Sequence, residues 1–153
     1  MQSPLLKRID ELEQFKTHID TLNTSVSASS VGWHLDHSLK VIIYICRMIK
    51  VSNPDEYAWK LNGLRTLVFM MGDFPRGRAK APASTIAKED ISIDDINNQL
   101  DQAKQLLDEI KDCSPLSHFE HFIFGKLNLK KSHGFMVIHT RHHIKIMRDI
   151  INS

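Results

Sequence analysis

Nine residues of the chain are histidines, and two of them stand at the spacing His139-x-x-x-His143. On a helix that spacing puts two imidazoles one turn apart on one face, where they can hold one cation together. At about 100° per residue, Phe135, Met136, Ile146, Met147 and Ile150 share an apolar stripe. His139 and His143 fall inside that stripe, and Arg141, Lys145 and Arg148 fall on the opposite face. Burying a neutral imidazole without a partner is costly. The pair therefore has two readings: core histidines bonded to neighbours, or ligands of a shared metal. His142 lies at the stripe's edge and suits ligation less well.

Two imidazoles hold a catalytic metal poorly, so a third ligand is needed. Trp33-His34-Leu35-Asp36-His37 offers two candidates. With Ile42, Ile45 and Ile49 on the core side, helical geometry favours His34 and sets His37 nearer the edge, beside Val41 and Tyr44. His118 and His121 form another i, i+3 pair, read as the polar face of a short helix. Asp36 and Glu120 are carboxylates close in sequence to these histidines, candidates for a base or for a hydrogen-bond partner of a ligand; the plainer reading of each is a solvated helix charge. Arg76, Arg78 and Lys80 form a small basic cluster, which suits either an anionic substrate group or simple solvation.

The elements that position these residues follow from apolar spacing. Leu5, Leu6, Ile9, Leu12, Phe15, Ile19 and Leu22 predict a first helix over about 4–22. A Ser/Thr-rich link over 23–30 supplies caps for a second helix over about 31–50. Asn53 or Asp55 opens a third, carrying Trp59, Leu61, Leu64, Leu67, Val68 and Met71 up to Gly72. A long loop over 73–90 follows, with Pro75, Gly77 and Pro82; loops of that length are uncommon and often functional. Ser92 and Asp95 resemble a capping box and start a fourth helix through Ile93, Ile96, Leu100, Ala103, Leu107 and Ile110. Ser114 and Pro115 break it, a short element spans about 116–124, and a fifth helix covers about 129–151. No segment alternates with period two. The expected fold is an all-α, antiparallel bundle with four principal long helices and an extra short helix.

Composition sets the outer bounds. The chain has 153 residues, enough for a single domain over 1–153 with its own core, and 42% hydrophobic with 25% charged residues excludes a disordered or low-complexity chain. Twenty basic against eighteen acidic residues give a net charge of +2, too small a field to draw nucleic acid or a membrane surface. Cys46 and Cys113 stand far apart with no CxxC, as expected of reduced thiols rather than a disulfide framework or zinc finger. The first fifteen residues are too charged for a signal peptide, and the run over 41–51 is interrupted by Arg47 and Lys50. A soluble, cytoplasmic protein without membrane attachment is expected. Residues 126–148 contain six basic side chains and no acid, whereas 89–112 contain eight acids against two lysines. That basic face defines the competing class, a non-enzymatic helical bundle binding module that contacts an anionic partner without metal chemistry. Nucleic acid is disfavoured as that partner because no recognition motif accompanies the face, and the acidic and basic segments could instead complement each other.

Taken together, three stretches resemble the DinB-like superfamily of metal-binding four-helix bundles, in a branch whose function is uncharacterised. They are Trp33-His34-Leu35-Asp36-His37, the loop from Gly72 through Arg76, Arg78 and Lys80 to Pro82, and Phe124-Gly125-Lys126-Leu127 followed by His139-Thr140-Arg141-His142-His143. The resemblance covers most of the chain from about 30 to 150. It implies a three-histidine metal site of His37, His139 and His143, selecting His37 where helical periodicity leans to His34. It also implies a homodimer and a small-molecule substrate, a thiol among the options, since relatives include thiol-dependent transferases and hydrolase-like enzymes. Relatives often carry a glutamine three residues after the last ligand; Ile146 stands there in this chain. Three imidazoles with an open position suit a catalytic divalent metal, with zinc or nickel first and iron as a further option.

Overall fold

A computed structural model describes residues 3–74 and 90–153. The fold is mostly helical, with α1 (Pro4–Glu13), α2 (Val31–Val51), α3 (Gly63–Met71), α4 (Ile93–Glu109) and α5 (Leu129–Asn152), and a two-stranded hairpin of β1 (His118–His121) and β2 (Gly125–Asn128). α2 packs on α4 and α5, and α1 packs on the same two helices. Leu5, Ile9 and Leu12 of α1, Leu35, Leu39, Ile42 and Ile49 of α2, Ile96 of α4 and Met136 of α5 are all fully enclosed between them. No helix among the described residues is long and apolar enough to cross a membrane.

Side chains cap the starts of α2, α4 and α5, at α2 and α4 from the segments where caps were expected. The Ser30 hydroxyl accepts from the Trp33 amide at the start of α2, Ser92 from Asp95 at the start of α4, and Asn128 from Lys131 at the start of α5. The Ser92 hydroxyl also donates to the Asp95 carboxylate at 2.9 Å, a side-chain bond in place of the backbone bond that closes a full capping box.

Three expectations are corrected. The first helix is shorter than 4–22: after Glu13 the chain tightens into a 3-10 turn, Gln14–His18. Beyond that turn, the Ile19 and Thr21 carbonyls accept from the Gly32 and Val31 amides at 2.9 Å each. The chain leaving α1 thus satisfies donors that every helix start leaves open. The approach is close enough that a Cβ on Gly32 would stand 2.7 Å from the Ile19 oxygen.

The third helix is likewise broken. Asn53 caps only the 3-10 turn Pro54–Glu56, and Asn62 caps a fresh start at α3. Arg65 holds the extended stretch between them, donating to the Lys60 carbonyl at 2.5 Å and the Phe124 carbonyl at 3.1 Å. Trp59 and Leu61, expected on that helix, lie before α3 and are exposed.

The hairpin replaces the short helix expected over 116–124, within a fold that is otherwise helical as expected. Phe119 faces Leu127 and Glu120 faces Lys126 across it. Strands of four residues offer too few alternations to register as a period, and both His118 and Phe119 are buried. The His121 ring builds the turn: its Nδ1 accepts from the Ile123 and Phe124 amides, and Gly125 takes the left-handed conformation with φ 69°.

Candidate metal centre

α2 and α5 lie side by side, and their facing stripes bring His37, His139 and His143 together. One ring nitrogen from each lies within 4.8 Å of the other two. The ring centroids form a near-equilateral triangle: 5.1 Å for His37 and His139, 4.8 Å for His37 and His143, and 4.6 Å for His139 and His143. His37 and His143 are buried, and the Nδ1 of His139 is enclosed without a hydrogen-bond partner.

Aromatic walls surround the triangle. The Trp33 ring stacks on His37 at 5.0 Å, Phe135 stacks on His139 at 5.8 Å, and the edge of Phe74 meets His139 at 6.2 Å. Burial therefore sets the protonation state. It holds the His139 and His143 rings well below their ordinary pKa of 6.5, and the neighbouring imidazoles deepen the shift. Both are neutral at pH 7, with lone pairs available to a cation.

His34 stands beside the cluster rather than in it. Its Nδ1 lies 2.9 Å from Nδ1 of His143, and its Nε2 lies 2.9 Å from the Ser27 hydroxyl. Of the two histidines of α2, His37 is the one whose ring lies in the triangle. Both rings are buried, because α2 buries side chains around most of its first turns and the core side there is not a narrow stripe.

His142 sits at the rim, as its place on the helix suggested. Its Nδ1 donates to Asp73 at 3.2 Å, and Lys145 binds the same carboxylate. Burial raises the Asp73 carboxyl, but Lys145, His142 and the Phe74 amide outweigh it and leave its pKa below the ordinary 3.8.

The other candidates lie apart. Asp36 turns to Lys40 at 2.7 Å and to the Gln99 amide of α4 at 2.7 Å. Glu120 is exposed on β1, opposite Lys126. His118 donates from Nδ1 to the Leu116 carbonyl, and burial drives the His121 pKa down to about 4. Arg76, Arg78 and Lys80 lie outside the described residues.

The sequence reading missed Ser27, Phe74 and the bond between His34 and His143. The i, i+3 pair His34 and His37 was a usable signal; Ser27 and Phe74 lie outside helices and carried none.

Three imidazoles from two helices, those of His139 and His143 held neutral by burial, are the donor set of an open divalent site. The unpartnered Nδ1 of His139 fits the same use, because a bound cation compensates a polar group that is otherwise costly to enclose. Comparison of the chain with family models, curated proteins and solved structures finds no match.

Proposed function

We propose that the chain is a DinB-like helical bundle that binds one divalent metal through His37, His139 and His143, and acts as a metal-dependent hydrolase or thiol-dependent transferase on a small molecule in the cytoplasm. The observation that carries the reading is the convergence of three imidazoles, two of them held neutral by burial, in a wall of aromatic rings. A bound zinc, nickel or iron ion with an open position supplies Lewis acidity, acidifying a water or a thiol or polarising a substrate oxygen. Trp33, Phe74 and Phe135 limit water at the cluster, which strengthens electrostatic interactions there. The carboxylate at the rim, Asp73, is already matched by Lys145 and His142, so it offers little charge to neutralise a cation. The homodimer belongs to the same reading; the exposed apolar row of Leu64, Leu67 and Met71 on α3 supports it.

Two basic side chains of α5 on which the competing anion-binding module depends are engaged within the fold: Lys145 with Asp73, and Arg148 with Glu11 at 3.6 Å. Metal content by mass spectrometry on untagged protein, purified without chelator, tests the reading. About one equivalent per chain is expected. No metal in the wild type, even after reconstitution with zinc or nickel, would leave a histidine-rich core without metal chemistry.

A further inference from the structure

We propose that His34 is a positioning residue for this centre, holding the His143 ring with its proton on Nδ1 so that Nε2 is the atom presented to the metal. The inference rests on the metal-binding reading and adds the partner that fixes one ligand's tautomer. It starts from the 2.9 Å separation between the two Nδ1 atoms. Two donors cannot face each other at that distance, and neither can two acceptors, so one proton lies between the rings.

Only two neutral arrangements satisfy this. If the proton belongs to His34, the proton of His143 sits on Nε2, and that ring has no lone pair for a cation. If it belongs to His143, Nε2 of His143 is open, and His34 carries its own proton on Nε2. That Nε2 has an acceptor ready in the Ser27 hydroxyl at 2.9 Å. In this arrangement the His34 ring and the Ser29 amide, which donates to Ser27 Oγ at 3.1 Å, fill the two acceptor sites of the hydroxyl. In the other arrangement the hydroxyl donates to His34, so the need for an open Nε2 on His143 is what selects between them. The turn that carries Ser27 is itself tied down, because the Val26 and Ser27 amides both donate to the Asn23 carbonyl.

The same contacts exclude His34 as a fourth ligand. One of its ring nitrogens faces His143 and the other faces Ser27. The ring is buried, with the edge of Trp33 against it at 5.1 Å. Partners of this kind orient metal-bound histidines and raise their basicity, and losing one typically weakens metal binding about 10- to 100-fold.

The test compares wild type, His34→Leu, His34→Asn and Ser27→Ala. Zinc affinity is measured by chelator competition, and the His143 tautomer is read from long-range nitrogen–proton spectra of the metal-free proteins. Asparagine is the informative substitution, because its Oδ1 can stand near the place of Nδ1 and accept from His143. His34→Leu is expected to lose about 10- to 100-fold in zinc affinity and to mix the two tautomers. His34→Asn restores most of the affinity with the proton on Nδ1, and Ser27→Ala weakens binding less than His34→Leu. Equal affinity in wild type and His34→Leu, or a wild-type His143 protonated on Nε2, overturns the role of His34 while the metal site stands. Failure of the wild type to take up zinc overturns the site and this role together. Should His34→Leu not fold, the wild-type tautomer and the ordering of the other two variants decide the matter.

Discussion

The two halves of α2 are built for different ends. Its first half buries His34, Asp36, His37 and Ser38 among Val31, Leu35 and Leu39; its second half buries Val41, Ile42, Ile43, Ile45, Cys46 and Ile49 and no polar side chain. Each fully buried aliphatic side chain of the second half contributes on the order of 1.5–3 kcal/mol through lost contact with water. Each polar group of the first half has to recover its desolvation through a specific partner. Ser38 donates to the His34 carbonyl, Asp36 holds Lys40 and Gln99, and His34 bridges Ser27 and His143. One half of the helix holds the fold together, and the other half uses that rigidity to hold a set of imidazoles in register with α5.

The largest expected effect separates the halves by metal content. His37→Ala and His139→Ala should drop from about one equivalent per chain to almost none, whereas Ile45→Ala should keep the wild-type stoichiometry. Mass spectrometry of the purified variants reads this directly. Full metal in His139→Ala would place the cation elsewhere and dissolve the contrast.

Stability should show the reverse pattern. Ile45 is 1% exposed, and truncating it to alanine should cost about 2–5 kcal/mol through lost transfer energy and the cavity left behind. His37→Ala should cost less in the metal-free protein, because it also removes a buried imidazole. Urea denaturation of both variants without metal checks the ranking. A larger loss at His37 would mean that the histidine cluster stabilises the fold in its own right.

The contrast also explains what could be read from sequence. The second half of α2 and the apolar stripe of α5 were legible because helical spacing and burial agree there. His139 and His143 stood on that stripe, and they stand in the cluster. In the first half of α2, burial runs around most of the helix, so periodicity pointed to His34 and the motif pattern was needed to select His37. The hairpin was illegible for another reason: strands of four residues carry almost no periodic signal, and its turn is organised by the His121 side chain. The stretch through Trp59 and Leu61 carried apolar residues at helical spacing. Capping by Asn62 and the grip of Arg65 on the Lys60 carbonyl win over that local preference.

A pH titration sharpens the difference between the imidazole cluster and the rest of the core. Burial lowers the pKa of His121, His133, His139 and His143 in the folded chain, to about 4 for His121. As pH falls below 6.5 the unfolded chain takes up protons that the folded chain refuses, so the unfolded state gains and stability declines. Well above 6.5 these rings are neutral in both states and contribute almost no slope. The urea midpoint of the metal-free protein should therefore be level between pH 7 and 8 and fall steadily from pH 6.5 toward 5. The lowered carboxyls of Glu13 and Asp73 act only at more acid pH, as they protonate. A midpoint that rises below pH 6.5 would mean that the histidines gain charge partners in the fold.

The smallest effects come from the ion pair at each end of α2. Asp36 is 2% exposed, and its carboxylate also receives the Gln99 amide, whose own Oε1 has no partner. Asp36→Ala removes the acceptor for that part-buried amide and should cost about 1 kcal/mol, the low end of the penalty for stranding a donor. Lys50 and Glu109 make the matching pair at the far end, but both side chains are open to solvent. There, water and salt screen the attraction and mobile side chains lose entropy in making it. Glu109→Gln should leave the urea midpoint where it was, at low and at high salt alike. If the two substitutions shift stability equally, the polar half of α2 is no more dependent on specific partners than its apolar half, and the division of labour along the helix fails at its most sensitive point.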